Sequence, residues 1–212
     1  MTEQTTGIGD RLKQETAQLH AAAEGHDFQR AFGAGRLARS GYVRYLGQMY
    51  LVHRGLEGNI QARRDASAVL SAVVMDRHFR ERDLESDLRF LGVDPSTVVP
   101  VPATARLTQQ FDAVAADQPD TLLGYHYVLE GSNNGNAFIA RAIRKAYDFS
   151  GADGTRYLDP YGDQQRTLWK QYKEALAGLT LSQPEADAIV DAAGEMFQAI
   201  GRIGSELLEP VG

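Results

Sequence analysis

The 212-residue chain contains no cysteine. That excludes disulfides, thiolate metal sites and a cysteine nucleophile together, and it fits a reducing compartment, so a cytoplasmic location is expected. No run approaches the roughly 18 apolar residues that a membrane span needs. The opening MTEQTTGIGD has neither the basic start nor the apolar centre of a signal peptide. An excess of positive charge is missing too. With 22 Lys and Arg against 28 Asp and Glu, the formal net charge is −6, and the basic stripe that nucleic acid would favour is not expected. Strand-like alternation is nearly absent, and there are no repeats, low-complexity tracts or domain-splitting linkers. The expectation is one soluble, all-α domain over residues 1–212 with a sizeable core, residues 1–8 forming an N-terminal tail.

Helical spacing is what the chain does have. Leu12, Thr16, Leu19 and Ala23 form one stripe from about residue 9 to 24. A helix over about 41–64 follows Ser40 as its N-cap and carries Tyr42, Tyr45, Leu46, Met49, Leu56 and Ile60. Shorter helices are expected at about 67–77, 79–91 and 103–117, with Gly92 and Pro95 as a stop signal between the last two. A long apolar helix runs from about 120 to 148. After a Gly/Pro-rich loop, two more helices cover about 162–178 and 183–208, the second opened by the capping box SQPE.

Two stretches carry chemistry. In RLKQETAQLHAAAEGH, helical geometry puts Lys13, Ala17, His20 and Glu24 on one face, with Lys13 about 10 Å along the axis from His20. A neutral imidazole is a good axial ligand for heme iron. A carboxylate one turn away can hold the ring, and the alanines at 17, 21, 22 and 23 would let a flat macrocycle approach. The plainer reading is a partly buried histidine bonded to Glu24, with Lys13 in solvent. In LEGSNNGNAF, Gly131 and Gly135 sit four apart inside an apolar helix, each costing about 1 kcal/mol relative to alanine. Ser132, Asn133, Asn134 and Asn136 interrupt the stripe at the same place. Close helix packing is one use of such glycines; a kinked helix lying over a flat ligand is the other.

Together these stretches resemble one family. LKQETAQLHAAAE looks like the proximal-helix signature of heme oxygenases, and YVLEGSNNGNAFIA looks like their glycine-kinked distal helix. DPYGDQQRTLWKQYKEAL is similar to the Tyr-Gly…Trp…aromatic helix of the bacterial members, including those that supply phytochrome chromophores. The motifs fall in the family's order and span nearly the whole chain. The resemblance implies an all-α bundle with heme between a proximal N-terminal helix and a kinked distal helix. It implies His20 as the iron ligand, Glu24 as its hydrogen-bond partner, and Lys13 and Lys173 on the propionates. Tyr172, beside Lys173, is a second candidate there, and Phe197 would form part of the heme wall, with Gly131 and Gly135 against the porphyrin and Ser132 and Asn136 on the distal side. The implied reaction opens heme to a biliverdin, carbon monoxide and iron. Its partners would be heme, molecular oxygen, an electron donor such as a ferredoxin or a reductase, and a phytochrome receiving the biliverdin.

Two positions depart from the family pattern. Ser132 stands where the best-known members carry an Asp that organises proton delivery, and Asn136 replaces the second glycine of a Gly-Gly pair. They favour, as the alternative, a heme-binding protein without efficient turnover, for transport, storage or sensing. Thiaminase-like chemistry needs the missing cysteine. Di-iron chemistry needs Glu-x-x-His, and none of the five histidines has Glu three residues before it. His26 and His78 are expected at the surface, His53 on a helix face and His126 in the core. Trp169 is expected to serve packing, and Arg141, Arg144 and Lys145 to form a solvated face.

Overall fold

The computed structural model describes residues 7–208. Residues 1–6 of the expected tail lie outside the described residues. Ile8, assigned to that tail from sequence, is instead buried at the start of the first helix. The described residues form ten α-helices and no strand. The first half contains α1 (Ile8–Glu15), α2 (Ala17–Gly25), α3 (Asp27–Gly33), α4 (Arg39–Arg63), α5 (Ala68–Val73) and α6 (Glu81–Phe90). Then come α7 (Pro102–Asp117), α8 (Leu122–Tyr147), α9 (Gln165–Ala177) and α10 (Gln183–Leu208).

The long stripes fold as their spacing predicts, but four local expectations need correction. The N-terminal stripe is two helices, not one. Thr16 is buried between them, its hydroxyl donating to the Leu12 carbonyl at 2.6 Å, a local bond that competes with the regular ladder. Helix α3 has only seven residues, too few for periodicity to reveal; His26 caps it, Nδ1 accepting the Phe28 N–H at 3.2 Å. Helix α4 starts at Arg39 after Ala38, so Ser40 is inside it and caps nothing. Helices α5 and α6 are shorter than expected because Val74 and Met75 are extended and a single 3-10 turn, Asp76–His78, intervenes. At the start of α10 the capping box is half formed, Glu185 accepting the Ser182 N–H at 2.7 Å.

Buried polar side chains tie the connections to the helices. Glu57 of α4 accepts the N–H groups of Arg80 at 2.6 Å and Glu81 at 3.1 Å, so a carboxylate from another helix caps α6. Asp87 of α6 accepts the N–H groups of Arg156 at 3.0 Å and Tyr157 at 2.9 Å, holding the loop before α9. Gln48 holds the connector before α7 through the Val99 carbonyl and the Val101 N–H, at 3.1 and 2.9 Å.

The site is placed by α10. Helix α8 packs along it so closely that a Cβ on Gly124 would collide with the Ile189 carbonyl. Both helices then meet the α3 region further along: Gly204 of α10 lies against His26 and Phe28, and the Ala142 carbonyl of α8 lies against Gly35. The two therefore run the same way. Helix α2 packs on α10 as well, Leu19 reaching Gly194.

Candidate heme site

Helix α2 keeps no side chain buried. Its sequence, AQLHAAAEG, is apolar enough to want a cover, and the protein covers only the edge that meets α10. His20 points from this helix with 56% of its side chain accessible. The ring stands edge-on to half-buried Phe197 of α10, with centroids 5.5 Å apart. Nδ1 lies 3.8 Å from the Glu24 carboxylate, too long for the hydrogen bond the sequence reading expected. The carboxylate therefore sits beside the ring without locking it, and Nε2 has no protein partner among the described residues. An accessible imidazole on a helix of small residues, flanked by an aromatic wall, is a donor set that fits the iron and one face of a heme.

The distal residues lie on α8. At 1.5 Å per residue Gly131 stands about 10 Å beyond Gly124 on α8, and Phe197 about 12 Å beyond Ile189, its partner at the crossing on α10. The wall beside His20 and the first distal glycine are thus at similar heights on the shared spine. The helix continues unbroken through both glycines. A Cβ on Gly135 would meet nothing within 4 Å, which leaves an open surface for a flat ligand. Gly131 differs: a Cβ there would meet the Trp169 ring at 3.4 Å, so α9 shares this stretch. The neighbouring side chains turn back on their own helix. Ser132 donates to the Leu129 carbonyl at 2.7 Å, and the Asn136 amide donates to Ser132 Oγ at 3.2 Å. Asn136 is buried.

Lys13 on α1 and Lys173 on α9 are both exposed, on two helices that pack together. Because Thr16 divides the N-terminal segment, the straight-helix spacing from Lys13 to His20 does not hold. Tyr172 is a clear correction. It is 2% exposed, its hydroxyl lies 2.9 Å from Nδ1 of His126, and it belongs to the interior rather than to a ligand surface. Arg144 is not on a solvated face either: it bonds Thr155 at 2.8 Å and pairs with Asp159 at 3.4 Å. Lys145 is exposed, and exposed Arg141 lies over the ring of Phe138, which is itself 67% exposed.

Sequence reasoning missed a polar interior behind the distal helix. His53, Glu57, His78, Arg80, His126, Glu130 and Asn133 line a cavity of about 10 Å³, the size of a single water. His78 and His53, expected at the surface and on a helix face, are both 4% exposed. His53 bonds Glu57 at 2.8 Å. Glu130 receives Tyr161 at 3.1 Å and Asn133 at 3.2 Å, but its other oxygen and Arg80 Nε have no partner among the described residues. Burial pushes the Glu130 carboxyl up to about 7 against the pull of Arg80, and holds His78 down to about 4. His126 lies well below the ordinary imidazole value for the same reason. The available signal was the repeated i, i+4 pairing of His53 with Glu57 and His126 with Glu130 on otherwise apolar stripes. Among the described residues no group of three or more His, Asp or Glu is placed to hold a metal.

Known proteins share both sequence and shape with this chain. A curated heme oxygenase of Rhodella violacea is 25% identical over 206 residues, covering 95% of this chain and 87% of the relative. Heme oxygenase 1 of Homo sapiens is 24% identical over 207 residues, covering 95% of this chain and 72% of its own length. The heme oxygenase structure from Leptospira interrogans superposes with a TM-score of 0.88 at 24% identity, covering 95% of this chain and all of that one. Heme oxygenase-1 of Synechocystis sp. PCC 6803, solved in complex with heme, also superposes with a TM-score of 0.88, at 24% identity, with 96% and 93% covered. The heme oxygenase family model matches residues 6–206; this chain belongs to the heme oxygenase family.

Proposed function

We propose that the protein opens the porphyrin ring of heme to a biliverdin, releasing carbon monoxide and iron, with an external electron donor such as a ferredoxin or a reductase. The observation that carries the reading is α2: a helix with nothing buried, offering an accessible imidazole beside an aromatic wall. When bound, heme supplies the iron at which oxygen is reduced and is itself the substrate that is cleaved. The chain's own residues bind and orient it. His20 offers Nε2 to the iron. Exposed Lys13 and Lys173 supply positive charge for the two propionates, and a lysine makes a mobile point contact there. Gly135 lets the backbone of α8 approach the opposite face. Ser132 and Asn136 are neutral and bonded back to Leu129 and to each other, so neither brings a charge to the distal side. A phytochrome receiving the product is the partner that this chemistry suggests.

Titration with heme under an optical spectrometer tests the reading. One-to-one binding with an imidazole-ligated spectrum is expected. Under air, a reductant should then replace the heme band with bilin absorption and release carbon monoxide. His20→Ala should lose the ligated spectrum and regain it with added imidazole. An unchanged spectrum in the variant would remove His20 from the iron. Stable heme with no bilin under reductant would favour the alternative, a heme carrier or sensor.

A further inference from the structure

The face of α9 turned toward α8 carries an aromatic sequence that heme binding does not use. The Trp169 ring edge lies against Gly131, one helical turn from the open surface at Gly135 where the proposed function puts the porphyrin. Behind it the Trp169 and Tyr172 rings are stacked, centroids 5.4 Å apart and planes 12° from parallel. The Tyr172 hydroxyl is 2.9 Å from Nδ1 of His126. The three groups thus form a chain of contacts from the half-buried indole to a buried phenol–imidazole pair.

We propose that Trp169, Tyr172 and His126 form a relay that drains oxidising equivalents from the heme cleft to a buried tyrosine with its own proton acceptor. The oxidant is the class of strong one-electron acceptor formed when a peroxide reacts at an iron porphyrin; in this respect the inference rests on heme occupying the cleft. Trp169 gives one electron to that oxidant, and Tyr172 gives one electron to Trp169. The phenolic O–H bond of Tyr172 breaks as an N–H bond forms on His126 Nδ1. The result is neutral Trp169, a Tyr172 phenoxyl radical and a His126 imidazolium, and one electron from an external reductant reverses it.

The proton transfer determines why Tyr172 is the terminus. An oxidised phenol is a strong acid, and it stays oxidised only if the proton has somewhere to go. Burial keeps His126 neutral and Tyr172 protonated. The Tyr172 hydroxyl has no other acceptor among the described residues, so it donates to Nδ1 and leaves the ring proton on Nε2. Tyr127 also lies 5.8 Å from Trp169, but its hydroxyl has no protein acceptor among the described residues.

Electron paramagnetic resonance on the 212-residue chain tests the relay in two arms. Heme-free protein is oxidised with light, a ruthenium tris-bipyridine photo-oxidant and persulfate; heme-loaded protein is mixed with hydrogen peroxide. In both arms the expected product is a tyrosyl doublet that Tyr172→Phe loses. Trp169→Phe and His126→Phe should each lower its yield several-fold, and its formation should slow in deuterated water. Circular dichroism checks that each variant is folded, and Tyr127→Phe, which should keep the signal, controls for loss of any ring. The same doublet in Tyr172→Phe, or an undiminished yield in folded Trp169→Phe, would overturn the relay. A Tyr172 radical in the light arm with none in the peroxide arm would overturn its link to heme. The light arm does not require heme, so a failure of the proposed function would appear separately, as absent heme binding with an intact doublet.

Discussion

Asn136 was expected from the sequence to reach the distal face, and its geometry decides what it does. An amide donating to bound oxygen would, when removed, change oxygen release by about tenfold or more, since hydrogen bonds to charged groups contribute roughly 1.5–3 kcal/mol. Here the amide is buried and donates to Ser132 Oγ at 3.2 Å. Asn136→Gly is therefore expected to leave oxygen dissociation from the reduced complex little changed. It should lower stability by about 1–2 kcal/mol, through the lost bond and a glycine within a helix. Stopped-flow oxygen release and a denaturant titration read the two effects, and a tenfold faster release would show that the amide reaches the ligand after all. Lys13 and Lys173 call for the opposite kind of test, because both are exposed and free to move. If they hold the propionates as proposed, replacing either with Glu puts like charge there, and weaker heme binding and a changed biliverdin isomer pattern are expected. Chromatography of the pigment would show an identical pattern if the propionates lie elsewhere.

Among the described α-helices, α2 is the one whose side chains are all at least partly accessible. It packs mainly against α1, α3 and one edge of α10. Segments with few buried contacts open at low free energy. Amides of residues 17–25 should therefore exchange quickly in heme-free protein and become protected on loading, while α8 and α10 stay protected in both states. Hydrogen exchange read by mass spectrometry checks this, and equal protection of α2 with and without heme would count against its being covered by the ligand. The same contrast explains what was legible in the sequence. The long helices were readable because their apolar stripes repeat over many turns, and the motifs at His20 and Gly131 sit on local spacing. Thr16, seven-residue α3 and the Ala38 start of α4 were not readable, because each depends on one side chain or a few residues. The interior around Glu130 was hidden for another reason: Glu57, Arg80 and His126 come from three distant segments, and only packing brings them together.

For the whole molecule, the buried ionisable groups pull in opposite directions. The folded state holds the Glu130 carboxyl at about 7, above its ordinary value of 4.5, so between those values the folded protein binds more protons than the unfolded chain. Its contribution to stability is then least unfavourable at acid pH and worsens as pH rises through that window. Buried His78, held down to about 4, acts oppositely: the unfolded chain takes the proton first, and stability falls as pH drops below the ordinary imidazole range. The two trends offset each other in the native protein. Glu130→Gln removes one of them. Between pH 5 and pH 8 its stability should shift in the variant's favour relative to the parent, by on the order of 2 kcal/mol. Urea titrations at those pH values measure it, and a constant difference between the two proteins would mean that Glu130 does not titrate there.

The Gly124 crossing has a mechanical consequence. With the α8 backbone pressed against the Ile189 carbonyl, that jaw of the vice is welded to α10, while α2, gripping α10 by one edge, is the jaw on a hinge. With heme clamped between them as proposed, a bulkier tetrapyrrole would be admitted by displacement of residues 17–25, while the jaw pinned at Gly124 keeps its aim. Tolerance for guest size and accuracy of the cut are thus assigned to different pieces of the molecule, and either can drift in evolution without spoiling the other.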